Sequence, residues 1–233
     1  MTRHPTLVAA GATVRALLRR RAAMAILVAL PLTFYLVRRD AVGQAVRSLT
    51  FGISWAVATV AFFAAAEVRG IEPRLQLGGW RRRQLVTGRL LGLAVVAAGI
   101  MALFTSVIVI DQPQLPTGAV VVDFAVTAVV AIAVGSAVGA LVEREMEGAL
   151  AIFFLAGLQA VVNPFDTWAL VLPFWSSREL ATVAVDGAAE ASTRDALVHA
   201  AVVVALGAAV AIGSTARPGA GARRRPRPTT SRR

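Results

Sequence analysis

The sequence predicts an all-α, polytopic membrane protein with six transmembrane helices, and three observations lead to this fold class. Of its 233 residues, 57% are hydrophobic and only 16% are charged, whereas a soluble domain carries about 25% charge. The apolar residues form blocks of about 20, the length that crosses roughly 30 Å of hydrocarbon. All 24 basic residues are arginines, and they cluster beside these blocks, where anionic lipid headgroups would lie. We therefore expect neither a soluble fold nor nucleic-acid binding.

The first 21 residues are predicted to form a cytoplasmic amphipathic helix that leads into the membrane. Its arginines Arg15 and Arg19 lie away from an apolar stripe at helical spacing, as in helices that lie in the membrane interface. The stripe consists of Leu7, Gly11, Val14 and Leu18. The alternative is that this segment is the frayed start of the first span.

The transmembrane domain is predicted to cover residues 22–212. Its six spans are expected at about 22–37, 49–68, 90–110, 119–142, 149–162 and 196–212. The first span resembles a signal peptide, but "VRRDAV" follows it in place of a small-residue cleavage site, so we expect it to be retained. Residues 213–233 are rich in proline, glycine and arginine, which predicts a disordered basic cytoplasmic tail.

A re-entrant external segment is predicted between the last two spans. The apolar residues 167–175 are too few to cross a membrane and include Pro173, and Pro164 precedes them. Trp168 and Trp175 are expected at the depth of the lipid headgroups, where tryptophan is enriched. The sequence leaves open whether this segment re-enters the membrane or lies on its surface.

Arginine counting predicts the orientation of the chain. With six spans and a cytoplasmic N-terminus, 19 arginines lie on the cytoplasmic side and 5 outside, as the positive-inside rule requires. Both termini are then cytoplasmic. The absence of lysine, together with the many alanines, valines and glycines, indicates a GC-rich bacterial genome. We therefore expect a multi-pass protein of a bacterial inner (plasma) membrane.

Few residues inside the predicted spans carry chemistry. Asp123 is expected near the outer end of the fourth span, where it would be solvated, and His199 has no second ligand at helical spacing. The chain has no cysteine and no group of three ligands, so no metal site is predicted. The motif G-x-x-x-x-G-K-[ST] is absent, so we expect no nucleotide, cofactor or enzyme activity on this chain. Gly135 and Gly139 form a small-xxx-small pair, which permits close helix packing.

An arginine-rich loop separates the second and third spans. Six arginines lie between Arg69 and Arg89. Leu75, Leu77 and Trp80 could anchor a partner while neighbouring arginines pair with its acids, since tryptophan and arginine are favoured interface residues. The alternative is that the arginines only set the topology and contact lipid phosphate.

The order of these features resembles the type-2 ATP-binding cassette (ABC) transporter permease family. Two stretches carry the resemblance. The first is "EVRGIEPRLQLGGWRRRQLVTGRLL", residues 67–91, with an acid closing the second span, a leucine-bearing basic helix and a basic residue before the third span. The second covers residues 147–180, in which Gly148 opens the fifth span and the pairs Asn163–Pro164 and Leu172–Pro173 resemble the family's external re-entrant segment.

The resemblance implies that the 69–89 loop docks on a separate cytoplasmic ATPase, which would carry ATP and magnesium. The implied docking residues are Glu67, Leu75, Leu77, Trp80, Arg81, Arg82, Arg83 and Arg89. The N-terminal helix and the "EREME" turn would flank the dock. A second permease subunit, identical or paralogous, would complete an exporter, and an interior poor in charge suits a hydrophobic or amphipathic substrate. The alternatives are a non-transporting membrane scaffold or assembly subunit, and a membrane enzyme using Asp123, Glu67 or His199.

Overall fold

The computed structural model describes residues 4–162, 166–187 and 190–213. Within these ranges the protein is all-α and has no β-strand, as the sequence predicts. Its helices are α1 Pro5–Arg19, α2 Arg21–Val37, α3 Val42–Arg69, α4 Glu72–Leu77, α5 Arg82–Asp111, α6 Thr117–Leu141, α7 Glu145–Val161, a 3-10 turn Thr167–Val171, α8 Trp175–Asp186 and α9 Glu190–Gly213. The predicted tail beyond residue 213, and Pro164 of the predicted re-entrant segment, lie outside the described residues.

Each predicted apolar segment corresponds to one helix, but several helices are longer than their apolar runs. α3 begins at Val42 and not at Leu49, and α5 begins at Arg82 and not at Leu90. A hydropathy pattern detects the part of a helix that is apolar on all sides. The helix itself continues through residues of which only one face packs against protein.

Four helices, α3, α5, α6 and α9, are long and apolar enough to cross a membrane. A fifth span results if α1 and α2, which are bent by 70° at the break between them, form one broken span. α2 and α7 have 17 residues each, or about 26 Å of helix, which is shorter than roughly 30 Å of hydrocarbon. The chain is thus a multi-pass membrane protein by helix length and composition, and six spans stay a prediction.

The centre of the bundle is the close crossing of α3 and α6, whose most apolar stretches are 67% and 61% buried. Gly135 and Gly139 of α6 face α3, as small-xxx-small pairs do at close helix contacts. A Cβ atom on Gly135 would lie 2.1 Å from the carbonyl oxygen of Ala58, and one on Gly139 would lie 2.6 Å from Cβ of Ala65. The predicted pair therefore brings two helix backbones together.

α5 and α9 lie at the periphery, where only 28% and 22% of their most apolar stretches are buried. α9 reaches the bundle through Gly207, whose Cβ position is 2.9 Å from the carbonyl oxygen of Ala133 on α6. The remaining sides of both helices expose large apolar residues, among them Val95, Leu103, Val202 and Leu206. Such a surface is compatible with lipid and not with water.

α1 is held by the first turns of α5. The Cβ positions of Gly88 and Gly92 on α5 lie 2.4 Å from Cβ of Ala9 and 2.7 Å from Cβ of Thr13. These two glycines form a second small-xxx-small pair, which the sequence interpretation missed. The predicted N-terminal helix thus exists, and it packs against protein along this face.

Polar contacts identify the two ends of the bundle. At one end, which we call the loop end, α3 leads into the arginine-rich loop, and Arg69 Nη1 donates to the carbonyl oxygen of Val142 at 2.7 Å, just after α6. At the opposite end, Asp111 at the close of α5 accepts hydrogen bonds from Tyr35 and Arg39, at the close of α2. Each end therefore connects helices that are distant in sequence.

Candidate functional site

The loop between α3 and α5 has a defined backbone. Its helix α4 ends at Leu77, and the Trp80 N–H then donates to the Leu75 carbonyl oxygen at 3.2 Å, while the Gly79 N–H donates to that of Gln76 at 3.0 Å. This pair of hydrogen bonds is the Schellman motif, which requires a left-handed residue after the helix. Gly79 supplies it with φ +89°. The Gly78–Gly79 pair thus ends α4 by a specific turn.

An ionic contact anchors this loop to the bundle. Glu72, in the first turn of α4, is 7% exposed, and its Oε1 lies 3.3 Å from Nε of Arg82 on α5. Arg82 Nη2 also donates to the carbonyl oxygen of Ile212 near the end of α9, at 2.8 Å. One arginine therefore connects α4, α5 and α9 at the loop end. Because Glu72 is buried, removing either charge would leave the other poorly compensated.

The predicted docking residues differ in exposure. Leu77 is 91% exposed, and Arg81 and Arg83 are also exposed, whereas Leu75, Trp80 and Arg82 are partly buried. Neither Arg81 nor Arg83 has an ion-pair partner among the residues that the structure describes. The structure thus brings one apolar side chain and two unpaired cations to the same stretch of surface.

Two predicted docking residues lie elsewhere. Arg89 is only 7% exposed, and its charged neighbours are Glu72 and Arg82, so it is not on the exposed surface with Leu77, Arg81 and Arg83. Its Nε atom has no hydrogen-bond partner in the described part of the chain. Glu67 forms an ion pair with Arg20, between α1 and α2, at 2.7 Å. It connects the N-terminal helices to the end of α3 and is not part of the α4 surface.

The "EREME" turn lies beside the same end of the bundle. Arg69 contacts the carbonyl oxygen of Val142 directly before this turn. Within the turn, Arg144 Nη1 pairs with Glu147 at 2.9 Å on the exposed first turn of α7. The predicted neighbours of the dock, α1 and this turn, therefore both lie at the loop end, while their roles stay predictions.

The predicted re-entrant segment folds back toward the bundle. The two tryptophans have different surroundings, because Trp168 is 79% exposed whereas Trp175 is 8% exposed. The Trp175 ring packs edge-on against His199, with 5.2 Å between ring centroids. His199 lies nine residues into α9, or about 14 Å along its axis. The segment that follows Pro173 thus contacts α9 well inside the helix and not at its first turn.

The polar residues His199 and Asp123 each contact another part of the fold. No group of three or more histidine or acidic residues that could hold a metal exists in the described ranges. His199 Nε2 is 3.1 Å from the Leu170 carbonyl oxygen, a contact within the fold. Asp123 was expected to be solvated, and this expectation is wrong, since it is fully buried and accepts a hydrogen bond from Thr50 Oγ1 at 2.6 Å.

The sequence analysis predicted neither the ion pair of Glu72 with Arg82 nor the burial of Arg89. Only the order "IEP" at residues 71–73, where α4 begins, marks Glu72 as an acid in the first turn of a helix, where the helix dipole favours it. Compared with protein-family models and with curated proteins, the sequence has no match.

Proposed function

We propose that this protein is the permease subunit of an ATP-binding cassette exporter in a bacterial inner membrane. The observation that carries the proposal is the surface formed by Leu77, Arg81 and Arg83 on a loop with a defined backbone. An almost fully exposed leucine beside arginines that have no ion-pair partner in the described ranges is the composition of an interface anchor, in which apolar contact and charge pairing combine. A separate cytoplasmic ATPase that holds ATP and magnesium is the partner that this surface would bind.

The anchoring of the loop supports a role in coupling. Force applied to α4 would pass through Glu72 to Arg82, and from Arg82 to both α5 and the end of α9. A loop held only by lipid contacts would need no such connection. Coupling further requires two states of the bundle that nucleotide binding on the ATPase favours to different extents. Movement of α5 and α9, the two least buried long helices, is the change that we expect.

The arginine distribution supports placing the loop end in the cytoplasm. With six spans, 19 of the 24 arginines lie on that side, together with both termini. α2 and α7 would then complete the six spans, with arginines near their ends reaching the headgroups. A second permease subunit, identical or paralogous, would complete the exporter, and the substrate would be hydrophobic or amphipathic.

The test is mass spectrometry on the tagged chain, purified in mild detergent from its native host. We expect a co-purifying soluble protein that carries a G-x-x-x-x-G-K-[ST] motif, and ATPase activity in the complex. The Leu77→Ala and Trp80→Ala variants should retain less of this partner. The matched control is Leu103→Ala, which removes an exposed leucine from the lipid-facing side of α5.

Absence of any such ATPase in several detergents would refute the permease proposal. The scaffold hypothesis would then replace it, and the arginines of the loop would only set the topology and contact lipid phosphate. Retention of the ATPase by all three variants would have a narrower meaning. The permease proposal would stand, but Leu77 and Trp80 would not contribute to ATPase binding.

A further inference from the structure

A cavity of about 450 Å³ opens at the opposite end of the bundle, between α2, α3, α7 and α8. Its size lies within the range of roughly 300–1,000 Å³ that is usual for small-molecule sites. None of the proposed docking residues lines it, so it is separate from the loop end. Its lining combines cationic, uncharged polar and aromatic side chains, and this combination indicates a ligand class.

The polar part of the lining includes groups that lack partners within the protein. Gln159 of α7 and Ser177 of α8 line the cavity and are only 4% and 2% exposed. Both polar atoms of the Gln159 amide, and the Ser177 hydroxyl, have no hydrogen-bond partner among the described residues. Buried polar groups without partners are costly and uncommon. A bound polar ligand at this position would supply the missing partners.

The charge of the lining is positive. Arg38, Arg47 and Arg178 line the cavity, and none of the described residues that line it carries a carboxylate. Arg47 is compensated by Asp186, at 2.5 Å from its Nη2. Arg178 donates from Nη1 to the carbonyl oxygen of Val162 at 2.7 Å, which orients its guanidinium, and its charged neighbours are the carboxylate of Glu179 and the guanidinium of Arg47. Arg38 has no ion-pair partner in the described ranges. An anion therefore fits this charge better than a cation or a neutral polar group.

The apolar part of the lining is largely aromatic. Phe34, Phe51 and Phe174 line it, and the rings of Phe34 and Phe51 meet edge to face with centroids 5.2 Å apart. Aromatic rings in this arrangement offer a large apolar surface. A purely ionic ligand would leave that surface unused, whereas a hydrocarbon group would cover it.

We propose that this cavity binds an anionic amphiphile. Its acidic group would lie near Arg38 and Arg178, within reach of Gln159 and Ser177, and its apolar part would lie against the phenylalanines. The ligand would be either a lipid of the surrounding bilayer, held by its headgroup, or a free single-chain amphiphile. Binding concerns this chain alone, so it does not depend on the proposed ATPase partner.

The test is native mass spectrometry on the full-length chain in neutral maltoside detergent. Two acidic probes, decyl phosphate and dioleoyl phosphatidylglycerol, are compared with neutral decanol and zwitterionic dioleoyl phosphatidylcholine. We expect at least one acidic probe to bind about 10- to 100-fold more tightly than its uncharged counterpart, as for one or more charge-assisted hydrogen bonds. Preference for the two-chain lipid identifies a bilayer lipid as the ligand. Preference for decyl phosphate alone identifies a free amphiphile.

Two variants locate the site. Arg38→Gln removes an unpaired charge, and Gln159→Leu removes the unpartnered amide at nearly constant volume. Each should weaken acidic-probe binding about tenfold or more. Gln159→Leu should not lower the unfolding temperature, because the Gln159 amide makes no hydrogen bond to any described residue. Arg194→Gln, an exposed arginine outside the lining at the same end, should bind like the parent protein. Equal binding of acidic and neutral probes, or unchanged binding by both variants, would overturn the proposal.

Discussion

Replacing Gly135 with alanine tests whether the α3–α6 crossing holds the bundle together. The added methyl carbon would lie 2.1 Å from the carbonyl oxygen of Ala58 and 2.9 Å from Cβ of Ala61. Ordinary contact begins at 3.4 Å, so the two helices must separate locally by about 1.3 Å. The obstructing atom is a backbone oxygen and cannot rotate away. Gly139, one turn further along α6, would lose its contact with α3 as well.

We expect Gly135→Ala to lower the free energy of unfolding by about 1–3 kcal/mol, the usual range for overpacking a dense interior. The assay is unfolding in mixed micelles by increasing fractions of sodium dodecyl sulfate, followed by tryptophan fluorescence. Trp55 of α3 is a suitable reporter, because its ring packs against Phe153 of α7 with centroids 5.0 Å apart. Separation of α3 from its neighbours will change the surroundings of this ring.

The matched control is Gly99→Ala on α5, where an added Cβ meets no atom within 4 Å. It makes the same chemical change in an apolar helix of the same protein, without a close approach. We expect its unfolding to equal that of the parent protein. If Gly135→Ala were as stable as Gly99→Ala, the close crossing would not limit stability and the reasoning would be refuted.

Three further predictions concern the loop. Leu77→Ala and Trp80→Ala should each weaken ATPase association by about 1–4 kcal/mol if these side chains are anchors. The measurement is a titration of purified ATPase onto the immobilised chain, and full affinity of both variants would contradict the docking surface. Glu72→Ala should destabilise the protein by about 1–3 kcal/mol in the detergent titration, because Arg82 loses its counter-charge, whereas an unchanged midpoint would mean that the pair contributes nothing. Single cysteines replacing Leu77 and Gln114 should react with an impermeant maleimide from opposite sides of the membrane, and labelling from one side only would exclude the six-span topology.

The all-α class and the positions of the apolar helices were predictable because they depend on local composition. Twenty apolar residues in a row have few stable alternatives to a helix in lipid. The Gly135–Gly139 pair was also visible, since close helix contacts use small residues at this spacing. Gly88 and Gly92 have the same spacing, which indicates a close helix contact but does not identify α1 as the partner.

The burial of individual polar side chains could not be predicted from the sequence in the same way. Asp123 was placed near water because it lies close to a helix end, but α3 provides Thr50 at that level and covers the carboxylate. Arg89 resembled its neighbours Arg81 and Arg83 in sequence, yet it is buried and its charged neighbours are Glu72 and Arg82. Such burial results from helices far apart in the chain, and a linear pattern carries no information about them.

The hydrogen bond from Arg82 to Ile212 has a practical consequence for handling this protein. It places the exit of the chain from α9 directly beside the arginine-rich loop. α1 also begins near this end, because the carbonyl oxygen of Thr6 lies 2.8 Å from the Cβ position of Gly88. An affinity tag fused directly before α1 or directly after α9 would therefore start near the proposed dock and could obstruct it. A short epitope inserted at the exposed Gln114, between α5 and α6, would leave that surface clear for pull-down.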